Sequence, residues 1–157
     1  MDKHFELTNK FIINAFGVKL FQIKCTRRIK YAEVGDLGGY IEKEDNLSGD
    51  AWVYGDAQVY GDARVYGNAQ VYGNARVSGD ARVSNNNEHC GFDCFGSVNR
   101  HTHAYKTQSG KVEITCGCFR GSIEEFDRQV KKTHQGNKFE RQYMAIAEVI
   151  KIKFGLK

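Results

Sequence analysis

Two groups of side chains in this 157-residue chain have the types and spacing to do chemistry. The first is sulfur and imidazole. "HCGFDC" supplies His89, Cys90 and Cys94, "CGC" supplies Cys116 and Cys118, and His101 and His103 lie between them. A structural zinc needs four soft ligands in a tetrahedron, and a hairpin could bring Cys90, Cys94, Cys116 and Cys118 to one ion. The pairing of Cys-x3-Cys with Cys-x-Cys is looser than a double Cys-x2-Cys, and buried free thiols account for the same residues. A cysteine–histidine nucleophile would need a third group to orient the base, and no such group stands out. Structural zinc is thus the one cofactor the sequence suggests, beside the plainer reading of none.

The second group is aromatic and cationic. In "VYGDAQVYGDARVYGNAQVYGNARVSGDARV", residues 53–83, Tyr54, Tyr60, Tyr66 and Tyr72 each follow a valine, while Arg64, Arg76 and Arg82 each precede one. A flat ring suits a nucleobase and a guanidinium fork suits a phosphate. The expectation is that Tyr60, Tyr66, Arg64, Arg76 and Arg82 line a site for a small anionic nucleotide. Exposed aromatic rows on a regular surface also suit an interface, so Tyr54, Tyr60, Tyr66 and Tyr72 are expected to support a homotrimer. Asp50, Asp56, Asp62 and Asp80 repeat as well, but the neighbouring arginines offset their charge.

The element that positions these residues is fixed by their period. Val53, Val59, Val65, Val71, Val77 and Val83 recur every six residues, each with alanine two places before it, and Ile41 and Leu47 extend the phase to eight hexads. A helix places apolar residues three and four apart, and a plain strand alternates without a regular glycine. Period six predicts a triangular parallel β-coil of three short strands per turn, valine inward and tyrosine outward. A glycine followed by Asp or Asn makes each corner. Residues eighteen apart should then stack: Tyr54 with Tyr72, Arg64 with Arg82, Gln58 with Arg76.

This Ala-x-Val-x-Gly-Asp phrase resembles the hexapeptide-repeat, left-handed parallel β-helix proteins. The lead-in "GDLGGYIEKEDNLSGDAWVYGDA", residues 35–57, is similar to that of a phage and prophage hexapeptide-repeat family, and the resemblance spans residues 5–84. "TCGCFRGSIEEF" and "THQGNKFERQY" resemble a module of phage-encoded proteins. The resemblance implies a viral or prophage source and the cytoplasm of a bacterial host. Many hexapeptide-repeat proteins are acyltransferases that bind acetyl-CoA between coils and use a histidine base. Here eight hexads make fewer than three turns, short for a pantetheine arm, and no histidine lies between His4 and His89.

The flanks read as small accessory units. Residues 5–26 read as two strands about "NAFG", covering the open end of the coil. "SNNNEH" breaks the repeat. Residues 95–119 read as a hairpin turned at "QSG", and Ser122 with Glu125 forms a capping box for a helix bearing Ile123, Phe126 and Val130. A second helix over 138–154 aligns Phe139, Tyr143, Ile146, Val149 and Ile150. The expected organisation is a β-hairpin cap at 1–30, a left-handed β-helix at 31–88 and a ββαα module at 89–157, mainly β overall.

Composition sets the outer bounds. A net charge of +4 is too small by itself to argue for nucleic acid. No apolar run is long enough for a membrane span, and five cysteines, an odd count, fit a reducing compartment better than a disulfide framework. The functional expectation is a non-enzymatic, phage-derived binding protein that interferes with a host process such as antiviral defence. It would sequester a nucleotide signal or occlude a host defence protein. An acyltransferase and a structural or virion-assembly protein are the alternatives.

Overall fold

The computed structural model describes residues 3–157, so Met1 and Asp2 of the expected 1–30 unit lie outside the described residues. The chain is mainly β with two C-terminal helices. Strands β1 (Phe5–Ile13) and β2 (Lys19–Cys25) form the antiparallel hairpin expected at the start. Asn14 Oδ1 accepts the amides of Phe16 and Val18 at its turn. Strand β3 (Leu37–Ile41) pairs antiparallel with β2 and parallel with β5, so the hairpin extends one ladder of the repeat.

The repeat forms six two-residue strands: β4 (Trp52–Val53), β5 (Gln58–Val59), β6 (Arg64–Val65), β7 (Gln70–Val71), β8 (Arg76–Val77) and β9 (Arg82–Val83). Each pairs parallel with the strand eighteen residues away, giving the ladders β3–β5–β8, β4–β7 and β6–β9, the last joined by Leu47. Residues eighteen apart are thus neighbours along three interleaved ladders, the spacing that the hexads predict. All six repeat valines are fully buried, as are the alanines before them. The corner glycines sit at positive φ, for example 61° at Gly67, where an added Cβ would overlap the Ser84 carbonyl of the neighbouring turn. Deep burial of two apolar residues per hexad, at roughly 25 cal/mol per Å² of apolar area, is what holds such short strands together.

The other end of the stack is closed from the C-terminal side. Tyr105 is fully buried within the same core as the valines, and Ala81 bridges to Thr107. The Tyr105 hydroxyl donates to Glu113 Oε1 at 2.6 Å, and Arg120 Nε donates to the same oxygen at 2.7 Å. Burial, then this hydrogen bond, pushes the Tyr105 phenol well up.

The C-terminal module has four strands rather than two. They are β10 (His89–Phe95), β11 (Arg100–Lys106), β12 (Val112–Cys116) and β13 (Phe119–Gly121), antiparallel in that order. "HCGFDCF" is a full strand disguised by glycine, aspartate and a bulge, with Cys94 at φ 68° where the register shifts. Gly117 and Cys118 turn the chain in two residues, the glycine at φ 59°, which creates β13.

Helix α1 (Ile123–His134) starts at the expected capping box, Ser122 Oγ accepting from Glu125 N at 3.2 Å. Helix α2 (Lys138–Phe154) is capped by Asn137, whose side chain accepts from two backbone amides, and ends at Gly155. Ile123, Phe126, Val130, Tyr143, Ile146 and Ile150 pack on one face of the sheet with Ala104 and Ile114. Val149, expected on that face, is 49% exposed, because its neighbour Ile150 takes the inward position. No described helix is long and apolar enough to cross a membrane.

Candidate functional site

The five residues expected to hold a nucleotide do not meet at one place. Arg64 and Arg82 face each other across β6 and β9, with Tyr66 beside them, in a groove of about 870 Å³. Lys3 and Arg27 join that groove, but so do Glu44, Asp45 and Asp50, so it carries both signs. Arg82 Nη1 donates to the carbonyls of Asp62 and Ala81, each at 2.8 Å, and is largely engaged within the chain. Tyr60 and Arg76 belong to the β5–β8 ladder instead. Residues six apart occupy successive ladders, so side chains repeated every hexad are spread around the stack.

Arg76 has a different partner. It lines a cleft of about 310 Å³ with Arg100 of β11, together with Asn74, Asn99 and Thr115, where the stack meets the sheet. Thr115 Oγ1 donates to the Arg76 carbonyl at 2.9 Å and fixes that junction. Arg100 lies over Gly117, where any Cβ would overlap its guanidinium. No carboxylate is among the residues lining this cleft, in contrast to the groove at Arg64. A chamber of about 320 Å³ adjoins it through the shared Val98, Arg100 and Cys116, and is walled by Phe119, Phe126 and Tyr143. Burial, with Cys116 beside it, pushes the Tyr143 phenol up to about 12, so its hydroxyl stays protonated. Two guanidiniums beside an apolar chamber can take an anionic head and a flat body. Arg100 was not legible as a site residue, because only the β11–β12 register and the docking of the sheet bring it opposite Arg76.

The tyrosines divide in the same way. Tyr54 and Tyr72 stack edge-on with ring centroids 6.5 Å apart, as eighteen-residue spacing requires. Tyr60 lies beside Phe16 and Phe119 of the same chain, and Tyr66 lies in the mixed-charge groove. Of the four residues expected at an oligomer interface, Tyr72 is the most open, at 61% exposed.

The four cysteines are not assembled as zinc ligands. Cys90 pairs with Ala104, which pairs with Ile114, whereas Cys116 pairs with Thr102. That register puts Cys90 and Cys116 two strands apart and one pleat repeat along, on the order of 10 Å, where a shared zinc needs both sulfurs at about 2.3 Å from the metal. Cys94 and Cys118 are exposed, and all five cysteines are free. Among the described residues no group of three or more His, Cys, Asp or Glu side chains is placed to hold a metal.

The histidines, which the sequence offers only alongside the cysteines, form a connected polar feature of their own. Asp93 Oδ1 meets His101 Nδ1 at 2.6 Å, His101 Nε2 meets His103 Nδ1 at 2.9 Å, and His103 Nε2 meets His89 Nδ1 at 2.9 Å. Gly91 makes this possible, since a Cβ there would stand 2.7 Å from both His101 Nε2 and His103 Nδ1. Burial lowers His103 well below the usual histidine range, and burial followed by repulsion from Lys153 lowers His89 to about 4. The signal was present: His101 and His103 are two apart in a strand and therefore on one face.

A family described as YdcK Beta solenoid repeat matches this chain twice, at residues 57–73 and 69–85. Both matches fall on the hexads, which are thus similar to a β-solenoid repeat. Comparison of the chain with curated proteins found no match.

Proposed function

We propose that this chain is a non-catalytic binding protein whose ligand is a small anionic nucleotide, held where the repeat meets the C-terminal sheet. The observation that carries this reading is the pairing of Arg76 and Arg100 across a cleft with no lining carboxylate. Phosphate would lie between the two guanidiniums as charge-assisted hydrogen bonds. The base would enter the neighbouring chamber against Phe119, Phe126 and Tyr143. Stacking of that kind contributes roughly 1–3 kcal/mol per base.

On this reading the repeat is a left-handed β-helix of phage origin and the assembly a homotrimer. The biological role is sequestration of a nucleotide signal in a bacterial host. Calorimetry against linear and cyclic nucleotides tests it. Binding tighter than about 100 μM, roughly −5.5 kcal/mol, is expected for at least one of them, and should be lost in Arg76→Glu/Arg100→Glu with the fold retained. If none binds, the reading fails and occlusion of a host protein replaces it.

A further inference from the structure

The histidine file ends in acceptors on both sides. At one end stands the Asp93 carboxylate. At the other, His89 Nε2 lies 3.4 Å from Asn86 Oδ1. That oxygen is fixed in place because it accepts the backbone N–H of Gln70 at 2.9 Å, while Asn86 Nδ2 donates to Gln70 Oε1 at 3.0 Å. The file therefore contains four contacts: one to the carboxylate, two between rings and one to the amide oxygen. Each hydrogen bond needs one proton between its two heavy atoms, so four contacts need four protons. Three neutral imidazoles carry only three.

We infer that Asp93, His101, His103 and His89 form a binding site for a single proton beyond the neutral complement, carried as a doubly protonated His101, and that this proton fastens the C-terminal sheet to the repeat. The assignment to His101 follows from its 2.6 Å contact with a carboxylate, the geometry of a charge-assisted bond. His101 then donates from Nδ1 to Asp93 and from Nε2 to His103. His103 donates from Nε2 to His89, and His89 donates from Nε2 to Asn86. Through Asn86 the file reaches Gln70 in β7, so it ties β10 and β11 to the stack.

Charged groups of both signs flank the file. Asp93 of β10 balances the proton, Lys153 of α2 opposes charge on His89, and Glu88 from the preceding turn favours it. Arg76 of β8 and Arg100 of β11 stand in the cleft that His101 also lines. The low proton affinity of His89 and His103, the two rings farther from Asp93, agrees with charge at the Asp93 end. Raising the pH removes the fourth proton and leaves two lone pairs facing each other across one contact. Lowering it toward about 4 protonates His89 and sets two N–H groups against each other. The fastening is therefore complete only between those limits, and it does not depend on whether the cleft takes a nucleotide.

Long-range nitrogen–proton correlation spectra of the ¹⁵N-labelled full chain, without ligand at neutral pH, count these protons. The expected result is four protonated nitrogens among the six of the three rings: both on His101, and Nε2 on His103 and His89. Three would overturn the inference. In Asp93→Asn, which removes the adjacent opposite charge, the same count at neutral pH should fall to three. An unchanged count would overturn the role of Asp93. Zinc that bound in place of the ring protons would overturn the inference as a whole, since the nitrogens would then be ligands.

Discussion

The repeat and the C-terminal module use similar side chains to opposite ends. In the stack, three ladders each present the same few residues at eighteen-residue intervals, and each repeat strand pairs only within its own ladder. Arg64 and Arg82 therefore sit on one ladder while Arg76 sits on another. In the module, a bulge at Cys94, a glycine at 91 and a two-residue turn at Gly117 make each strand different. There, three histidines from two strands converge on one line. Repetition distributes chemistry evenly, and irregularity concentrates it. The cleft lies where the two meet.

Substitution can break that contrast at several scales. The largest effect should come from Val65→Asp, which puts an unpaired carboxylate between Leu47 and Val83 in a fully buried position. A cost above about 4 kcal/mol is expected, seen as loss of cooperative unfolding in denaturant. A cost under about 1 kcal/mol would mean that the ladders tolerate charge and are not a sealed core.

Acid should act on the module next. His89 and His103 bind protons less readily folded than unfolded, so the part of the stability that these two rings contribute is complete above the ordinary histidine pKa of 6.5 and falls as pH drops toward about 4. For His89 alone the loss is about 2–3 kcal/mol. Urea unfolding at several pH values should show that slope, and His89→Gln should flatten it.

Within the repeat itself, two glycines of identical motif position should differ. Gly55→Ala meets no atom within 4 Å and costs only the left-handed strain of its φ of 54°, about 1–2 kcal/mol. Gly67→Ala has that strain and also an overlap with the Ser84 carbonyl, adding about 1–3 kcal/mol. Equal melting temperatures would show that the turns are not in close contact. The smallest effect is expected for Ser122→Ala, about 1 kcal/mol for one lost cap, measured as a shift of the thermal midpoint.

The stack was legible because its information is periodic. Val53 to Val83 could be placed inward and eighteen apart without coordinates, since any other phase leaves valine in water. The start of α1 was legible for a local reason: Ser122 and Glu125 act on the backbone beside them. The residues that converge were not. Arg100 and Arg76 come together only through the docking of one sheet on one ladder. Cys90 and Cys116 looked like partners by spacing, but antiparallel register placed them two strands apart. "HCGFDCF" hid β10 because its glycine and aspartate serve a neighbouring feature, making room for rings and holding His101.

The three-ladder arrangement has a consequence for how such a chain can change length. Because the strand after each hexad begins on the next ladder, inserting or deleting one hexad would move everything downstream to a neighbouring ladder. Tyr105 would still find a valine-lined end to close, but Arg100 would then be carried to a different face and meet a different column of side chains. Only a gain or loss of eighteen residues returns the module to the same bearing. Hexad number thus acts as an index: it selects which of three columns is presented to the sheet, and here it selects the one that ends in Arg76.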